Sequence, residues 1–191
     1  EETERQIQKV LAERMERLNE KGEVALPVTK EKRITRPESP EIYFGASRNE
    51  RLGNGSPRRI GIQEFVLPET PAFNTLYFGG EWNIEPEYAE NKAAGAVIEF
   101  RYKAKEVYLV ASSPTGVAAK IYQDGALVTG DGALDCKVRG FCGGEDVSAD
   151  GTVFIKEDRL YKLIQHNGVE EHTFKIEIGE PGLKAFTFTF G

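Results

Sequence analysis

Few residues in this 191-residue chain could do covalent, redox or metal chemistry: two cysteines, Cys136 and Cys142, and two histidines, His166 and His172. The cysteines bound the stretch DCKVRGFC, with glycines at 140, 143 and 144. Thiol pairs of the thioredoxin type have two intervening residues and sit at a helix start, where the helix dipole lowers a thiol pKa. The wider spacing and the glycine-rich loop lack the parts of that mechanism. A zinc site built on cysteine would want two further ligands, and there is no second cysteine pair. A local disulfide fits the spacing best and would contribute about 2–3 kcal/mol through chain entropy; free thiols are the alternative.

The histidines lie in HNGVEEH, residues 166–172, where Asn167-Gly168 reads as the turn of a hairpin. Two histidines on opposite arms could hold a metal with Glu170 or Glu171, but the spacing matches no strong ligand motif. Solvated loop residues are the expectation, and no metal is assigned. The 31 acidic residues make any single carboxylate pair uninformative. The glycines of RLGNGSPRR do not stand between a strand and a helix, so they make no phosphate cradle. No nucleophile has a recognisable base beside it, so no catalytic residue and no cofactor is assigned.

The elements that must position these residues fall into two regions. In residues 3–20, Ile7, Val10, Leu11, Met15 and Leu18 recur at helical spacing among charges, predicting an amphipathic helix. Thr3 with Gln6 resembles a capping box, and Gly22 ends the helix. Residues 23–38 carry two prolines, many charges and little periodicity, which is linker composition. From residue 39 the pattern becomes short alternating runs punctuated by Gly, Pro, Asn and Asp. Strands are predicted at 95–102, 106–112, 118–124, 126–129, 151–155, 160–165, 173–179 and 184–191. In KAFTFTFG, Phe186, Phe188 and Phe190 alternate with Ala185, Thr187 and Thr189, which would place the three rings on one face. Asp124-Gly125 is a second hairpin signal. Eight or so strands with frequent turns predict an all-β fold, a jelly-roll β-sandwich, preceded by an N-terminal amphipathic helix and linker.

Net charge is −6, and all of it belongs to residues 39–191, because basic and acidic residues balance in 1–38. That argues against nucleic-acid binding. The longest apolar runs, such as VYLVA, fall far short of the roughly 20 residues of a membrane helix, so no membrane insertion is expected. The chain begins EETERQIQKV without methionine, which reads as a processed product or an excised piece.

The order of SPEIYFG, YFGGEWNIEPEYAE, GAVIEFRYKAKEVYLVA, AAKIYQDG, GEDV, EDRLYKLI and the terminal FTFTFG across residues 39–191 resembles the C-terminal domain of DipZ-type proteins. These are bacterial fusions of a CcdA-like membrane electron carrier, a thioredoxin-like domain and a carbohydrate-binding-module-like jelly roll. The resemblance implies that residues 1–38 are the last helix of an upstream thioredoxin-like domain plus a linker, and that 39–191 are the jelly roll. It also implies an extracytoplasmic location, in the periplasm or cell envelope on a membrane-anchored parent chain, which favours the disulfide. Ser39 stands where the family usually has threonine, and CKVRGFCG looks like an insertion, so its cysteines inherit no family role.

By that resemblance the expected function is a non-catalytic module for a carbohydrate or cell-envelope ligand, appended to a thiol-disulfide oxidoreductase. A protein-interaction or structural domain, docking the thioredoxin-like domain or a redox partner, is the alternative. Sugar recognition needs aromatic faces and planar polar groups. Candidates are Trp82, the one tryptophan, with Tyr77, Tyr88, Tyr43 and Arg159. Against each stands burial: Trp82 could equally plug the sandwich, and Tyr161 beside Arg159 could pack at a strand start.

Overall fold

The computed structural model describes residues 38–130 and 141–191. The predicted helix at 3–20, the linker and Cys136 lie outside the described residues. Within them the protein is all-β, with the strands β1 (Ile42–Tyr43), β2 (Gly61–Phe65), β3 (Leu76–Ile84), β4 (Ala89–Asn91), β5 (Ala96–Ser112), β6 (Val117–Gln123), β7 (Ala126–Leu127), β8 (Phe141–Gly143), β9 (Thr152–Ile155), β10 (Arg159–Ile178) and β11 (Lys184–Phe190).

Two long antiparallel strands organise the fold. β5 and β10 pair with each other from Ala96↔Ile178 to Ala111↔Arg159. Their two ends recruit different neighbours. Residues 97–100 of β5 pair with β3, which pairs with β2, while residues 174–178 of β10 pair with β6. At the other end, residues 107–112 of β5 pair with β11, which pairs with β1, while residues 164–166 of β10 pair with β8. The outcome is a jelly-roll sandwich whose two sheets share β5 and β10, with β4 bridging β3 and β11.

Alternation along the strands explains the core. β5 reads Ala96, Ile98, Phe100, Tyr102, Ala104 on its buried face, then resumes at Val107, Leu109 and Ala111. Aromatic rings from both ends meet inside: Phe100 lies 4.5 Å from Phe188 and 5.2 Å from Phe174, and Phe44 lies 5.1 Å from Phe188 and 5.8 Å from Phe78. Tilted contacts of this kind satisfy the ring quadrupoles as well as burying area.

Three sequence expectations change. The runs at 95–102 and 106–112 are one strand, β5, and those at 160–165 and 173–179 are one strand, β10. HNGVEEH is therefore not a hairpin loop. Gln165 pairs with Glu106 and Glu170 with Ala104, so residues 166–169 bulge out of the β5 ladder at the corner between the sheets. In β11 another bulge breaks the phenylalanine alternation, because Ala185 pairs with Ala111 while Thr187 pairs with its neighbour Val110. Ala185 and Phe188 stay in the core, and Phe186 is released to the surface. Asp124-Gly125 does turn a hairpin, between β6 and β7, with φ of 49° and 78° as a type I′ turn requires.

Candidate functional site

A groove opens on the outer side of β1 and β11. Ile42 and Phe44 point into the core, so Tyr43 between them faces outward. The bulge in β11 presents Phe186 beside it, and the two rings line a hollow of about 410 Å³ with Gly45, Ser47, Arg48, Pro86, Glu87 and Thr187. Gly45 is required there: a Cβ at that position would sit 2.2 Å from the Glu87 carbonyl carbon. The Arg48 guanidinium lies over the Tyr43 ring, 3.4 Å from its centroid. The Tyr43 hydroxyl donates to Glu41, and that hydrogen bond raises its pKa. An adjoining hollow shares Tyr43 and Arg48 and adds Glu41, Glu50 and Arg51. Tyr88 flanks the groove through Phe186, 5.5 Å away, with the Lys184 ammonium 5.1 Å from its ring.

The structure thus brings Tyr43 and Tyr88 together around Phe186 and separates the other three candidates from them. Trp82 is wholly buried, packed 4.5 Å from Phe78, and its indole N–H donates to the Gly79 carbonyl at 3.0 Å. It plugs the sandwich and offers no face to a ligand. Tyr77 is also buried; its hydroxyl accepts the Ala72 N–H at 3.2 Å. Arg159 lies elsewhere on the surface, stacked 3.8 Å from the Tyr161 ring and bonded to Asp146 at 2.6 Å. Tyr161 itself ties down a strand start, its hydroxyl accepting Lys156 N–H and donating to the Glu157 carbonyl.

The second polar constellation is the corner where β10 bulges. His166 is buried and His172 half-buried, their rings stacked 4.4 Å apart and 8° from parallel. The Tyr102 hydroxyl lies 2.9 Å from Gln123 Oε1 and 2.8 Å from His166 Nε2. Donating its single proton to Gln123, it accepts from a protonated Nε2, which makes Nδ1 the basic nitrogen of His166. His172 Nδ1 lies 2.6 Å from Asp124 Oδ2, and a carboxylate can only accept, so Nε2 is the basic nitrogen there. Burial, reinforced by His172, pushes His166 down to about 4, so its ring is neutral at pH 7. Burial also raises Tyr102 well above its ordinary value. Glu170 Oε2 is 3.4 Å from His172 Nε2, whereas Glu171 turns to an ion pair with Arg101.

Cys142 lies on β8, opposite Gln165 and one residue from this corner. No helix among the described residues is long and apolar enough to cross a membrane.

Fold and surface together define an all-β sandwich domain with an aromatic groove on one sheet and a histidine corner between the two. The chain belongs to the family described as thioredoxin like C-terminal domain, whose model matches residues 39–191. Among curated proteins it is similar to Protein DipZ of Mycobacterium bovis and of Mycobacterium tuberculosis, 32% identical over 72 residues in each. Those matches cover 38% of this chain and 10% of each relative, so the chain accounts for a small part of their length. Among solved structures, a glycoside hydrolase family 43 arabinoxylan arabinofuranohydrolase from Bacillus subtilis, in complex with cellotetraose, aligns over 69% of this chain and 24% of its own. Its 12% identity and TM-score of 0.33 carry no argument about ligand or descent.

Proposed function

We propose that this domain is a non-catalytic binding module for a carbohydrate or cell-envelope ligand, serving a thioredoxin-like thiol-disulfide oxidoreductase outside the cytoplasmic membrane. The supporting observation is the groove at Tyr43 and Phe186. The half-buried rings of Tyr43 and Phe186, with Arg48 over one face of Tyr43, offer apolar surface to the C–H face of a sugar ring, and the planar charged and hydroxyl groups beside them suit its hydroxyls. Membership of a thioredoxin-associated family supports the oxidoreductase partner. An oxidising compartment agrees with a Cys136–Cys142 disulfide, which is part of the same proposal.

The test is a screen of glycans, cell-wall fragments included, read by calorimetry. Trp82 fluorescence serves only to show that the fold is intact. Tyr43→Ala is expected to weaken binding by about tenfold or more, equivalent to about 1.4 kcal/mol, while Arg159→Ala leaves it unchanged. Binding that survives Tyr43→Ala would remove the groove from the proposal.

A row of exposed apolar side chains favours a second reading, as a protein-interaction domain. Ile60, Ile62 and Val66 are 58%, 62% and 81% exposed on and beside β2, which pairs only with β3 among the described residues. Such an edge suits docking of the thioredoxin-like domain. No glycan binding, with association to that domain lost on Ile62→Lys, would select this reading.

A further inference from the structure

We infer that His166, Glu170 and His172 form a binding site for a divalent first-row transition ion of the zinc type, at the corner where β10 bulges away from β5. One ligand atom from each of the three lies within 4.8 Å of the others. The set has two imidazole nitrogens and one carboxylate oxygen, which favours zinc, copper or nickel over calcium or magnesium, since hard cations take oxygen ligands.

The hydrogen bond on the other nitrogen of each ring carries the inference further than proximity does. In metal sites a ligating histidine presents one nitrogen to the ion while the other donates to a partner that fixes ring and tautomer. Both histidines have that partner. Asp124 holds Nδ1 of His172 at 2.6 Å and makes Nε2 the ligand nitrogen. Tyr102, itself held by Gln123, takes Nε2 of His166 and makes Nδ1 the ligand nitrogen. Asp124 is in turn anchored by the Thr173 N–H at 2.8 Å. The bulge supplies the third ligand, because it brings Glu170 to His172 while Glu171 points to Arg101.

The stacked rings also set what binding must change. An ion lies near the plane of each imidazole that binds it, and a tetrahedral ion with bonds of about 2.1 Å holds its ligands about 3.4 Å apart. Two parallel rings cannot both aim at one such ion, so binding pivots one ring about the hydrogen bond that holds its other nitrogen and draws the three ligand atoms together. Three protein ligands leave a fourth position for water.

Calorimetric titration of the chelator-stripped full chain with Zn²⁺, and with Ca²⁺ as the hard-cation control, tests the site. The expected result is one Zn²⁺ per chain, no Ca²⁺ response, and loss of binding in His172→Ala. Asp124→Asn should weaken binding by about 10–100-fold, the usual cost of losing such support, and Glu170→Gln, which takes the charge from a ligand, by at least as much. The amide introduced by Asp124→Asn keeps an oxygen for the Thr173 N–H, so the turn survives. In nitrogen-15 spectra Zn²⁺ should shift Nδ1 of His166 and Nε2 of His172, a signature that a merely structural cluster would not show. No binding tighter than millimolar overturns the proposal. So does zinc binding unchanged by His172→Ala and Glu170→Gln, which would place the ion on other acidic side chains.

Discussion

Asn91 shows how much of the architecture can depend on one buried polar side chain. It is wholly buried; its amide donates to the Ala93 and Glu180 carbonyls at 2.8 and 2.9 Å and its Oδ1 accepts the Leu183 N–H at 2.8 Å. Backbone bonds run the same way, Asn91 N–H to Leu183 and Gly182 N–H to Asn91. One residue at the end of β4 therefore sets the turn that launches β11. Asn91→Ala strands the buried Leu183 N–H, and a stranded buried donor costs about 1–3 kcal/mol. The expected result is a lower urea midpoint at unchanged slope; an unchanged midpoint would mean that the turn holds itself. Among the aromatics, local alternation already separates two candidates: Trp82 lies in β3 between the polar Glu81 and Asn83, and Tyr43 lies in β1 between the apolar Ile42 and Phe44. That pattern turns Trp82 inward and Tyr43 outward; which residues gather beside Tyr43 is a long-range fact. Phe186 escaped the sequence reading for a sharper reason. Its alternation with Phe188 and Phe190 is real, but the bulge between Ala185 and Thr187 reverses its phase.

At the scale of elements, sequence pattern located β6, β7, β9 and β11 to within a few residues, because each is bounded by turn residues and alternates cleanly. It missed the continuity of β5 and β10. Asn167-Gly168 carries the dipeptide that makes tight hairpins, yet a strand whose partner continues straight absorbs the extra residues as a bulge instead. It also passed over β2, where the exposed Ile60 and Ile62 blur the alternation. The hairpin reading did bring the two histidines together with Glu170 or Glu171, but it hid the groups behind them, Tyr102 on β5 and Asp124 after β6. Turn chemistry is more local and can be tested by pH. Before β9, Asp150 accepts Ser148 Oγ at 2.6 Å, Thr152 Oγ1 at 3.0 Å and Thr152 N–H at 3.2 Å. The Ser148 and Thr152 hydrogen bonds pull its pKa from 3.8 to about 2. A carboxylate depressed in the folded state contributes stability above its unfolded pKa and loses it as pH falls through the folded one. The turn's contribution is thus complete above about pH 4 and fades toward pH 2. Asp150→Asn is expected to flatten the acid limb of the thermal unfolding curve in that window, and an unaltered limb would detach the turn from acid stability.

The molecule as a whole closes through its most distant pairing. β11 joins β1 at Ile42↔Phe188, with Thr187 Oγ1 donating to the Ile42 carbonyl at 3.0 Å, and β11 also pairs with β4 and with residues 107–112 of β5. Contacts across such sequence separations charge loop entropy before they repay it, so folding belongs to the slow regime of milliseconds to seconds. β11 also carries Phe188, whose ring meets Phe44, Phe100 and Phe174. Without β11, β1 would lose its partner and the second half of β5 would keep β10 alone. The groove would vanish with Phe186 and Thr187. Ending the chain after Leu183 should therefore remove more than one strand's share of stability. The remaining residues are expected to stay compact and strand-rich, to bind a hydrophobic dye, and to lose the cooperative urea transition and near-ultraviolet circular dichroism of the intact domain. A shortened chain that still unfolds in one sharp transition would show that β5 and β10 with β3 and β6 form a sheet stable by itself. The two sheets would then be separate folding units, joined by shared strands but not dependent on each other.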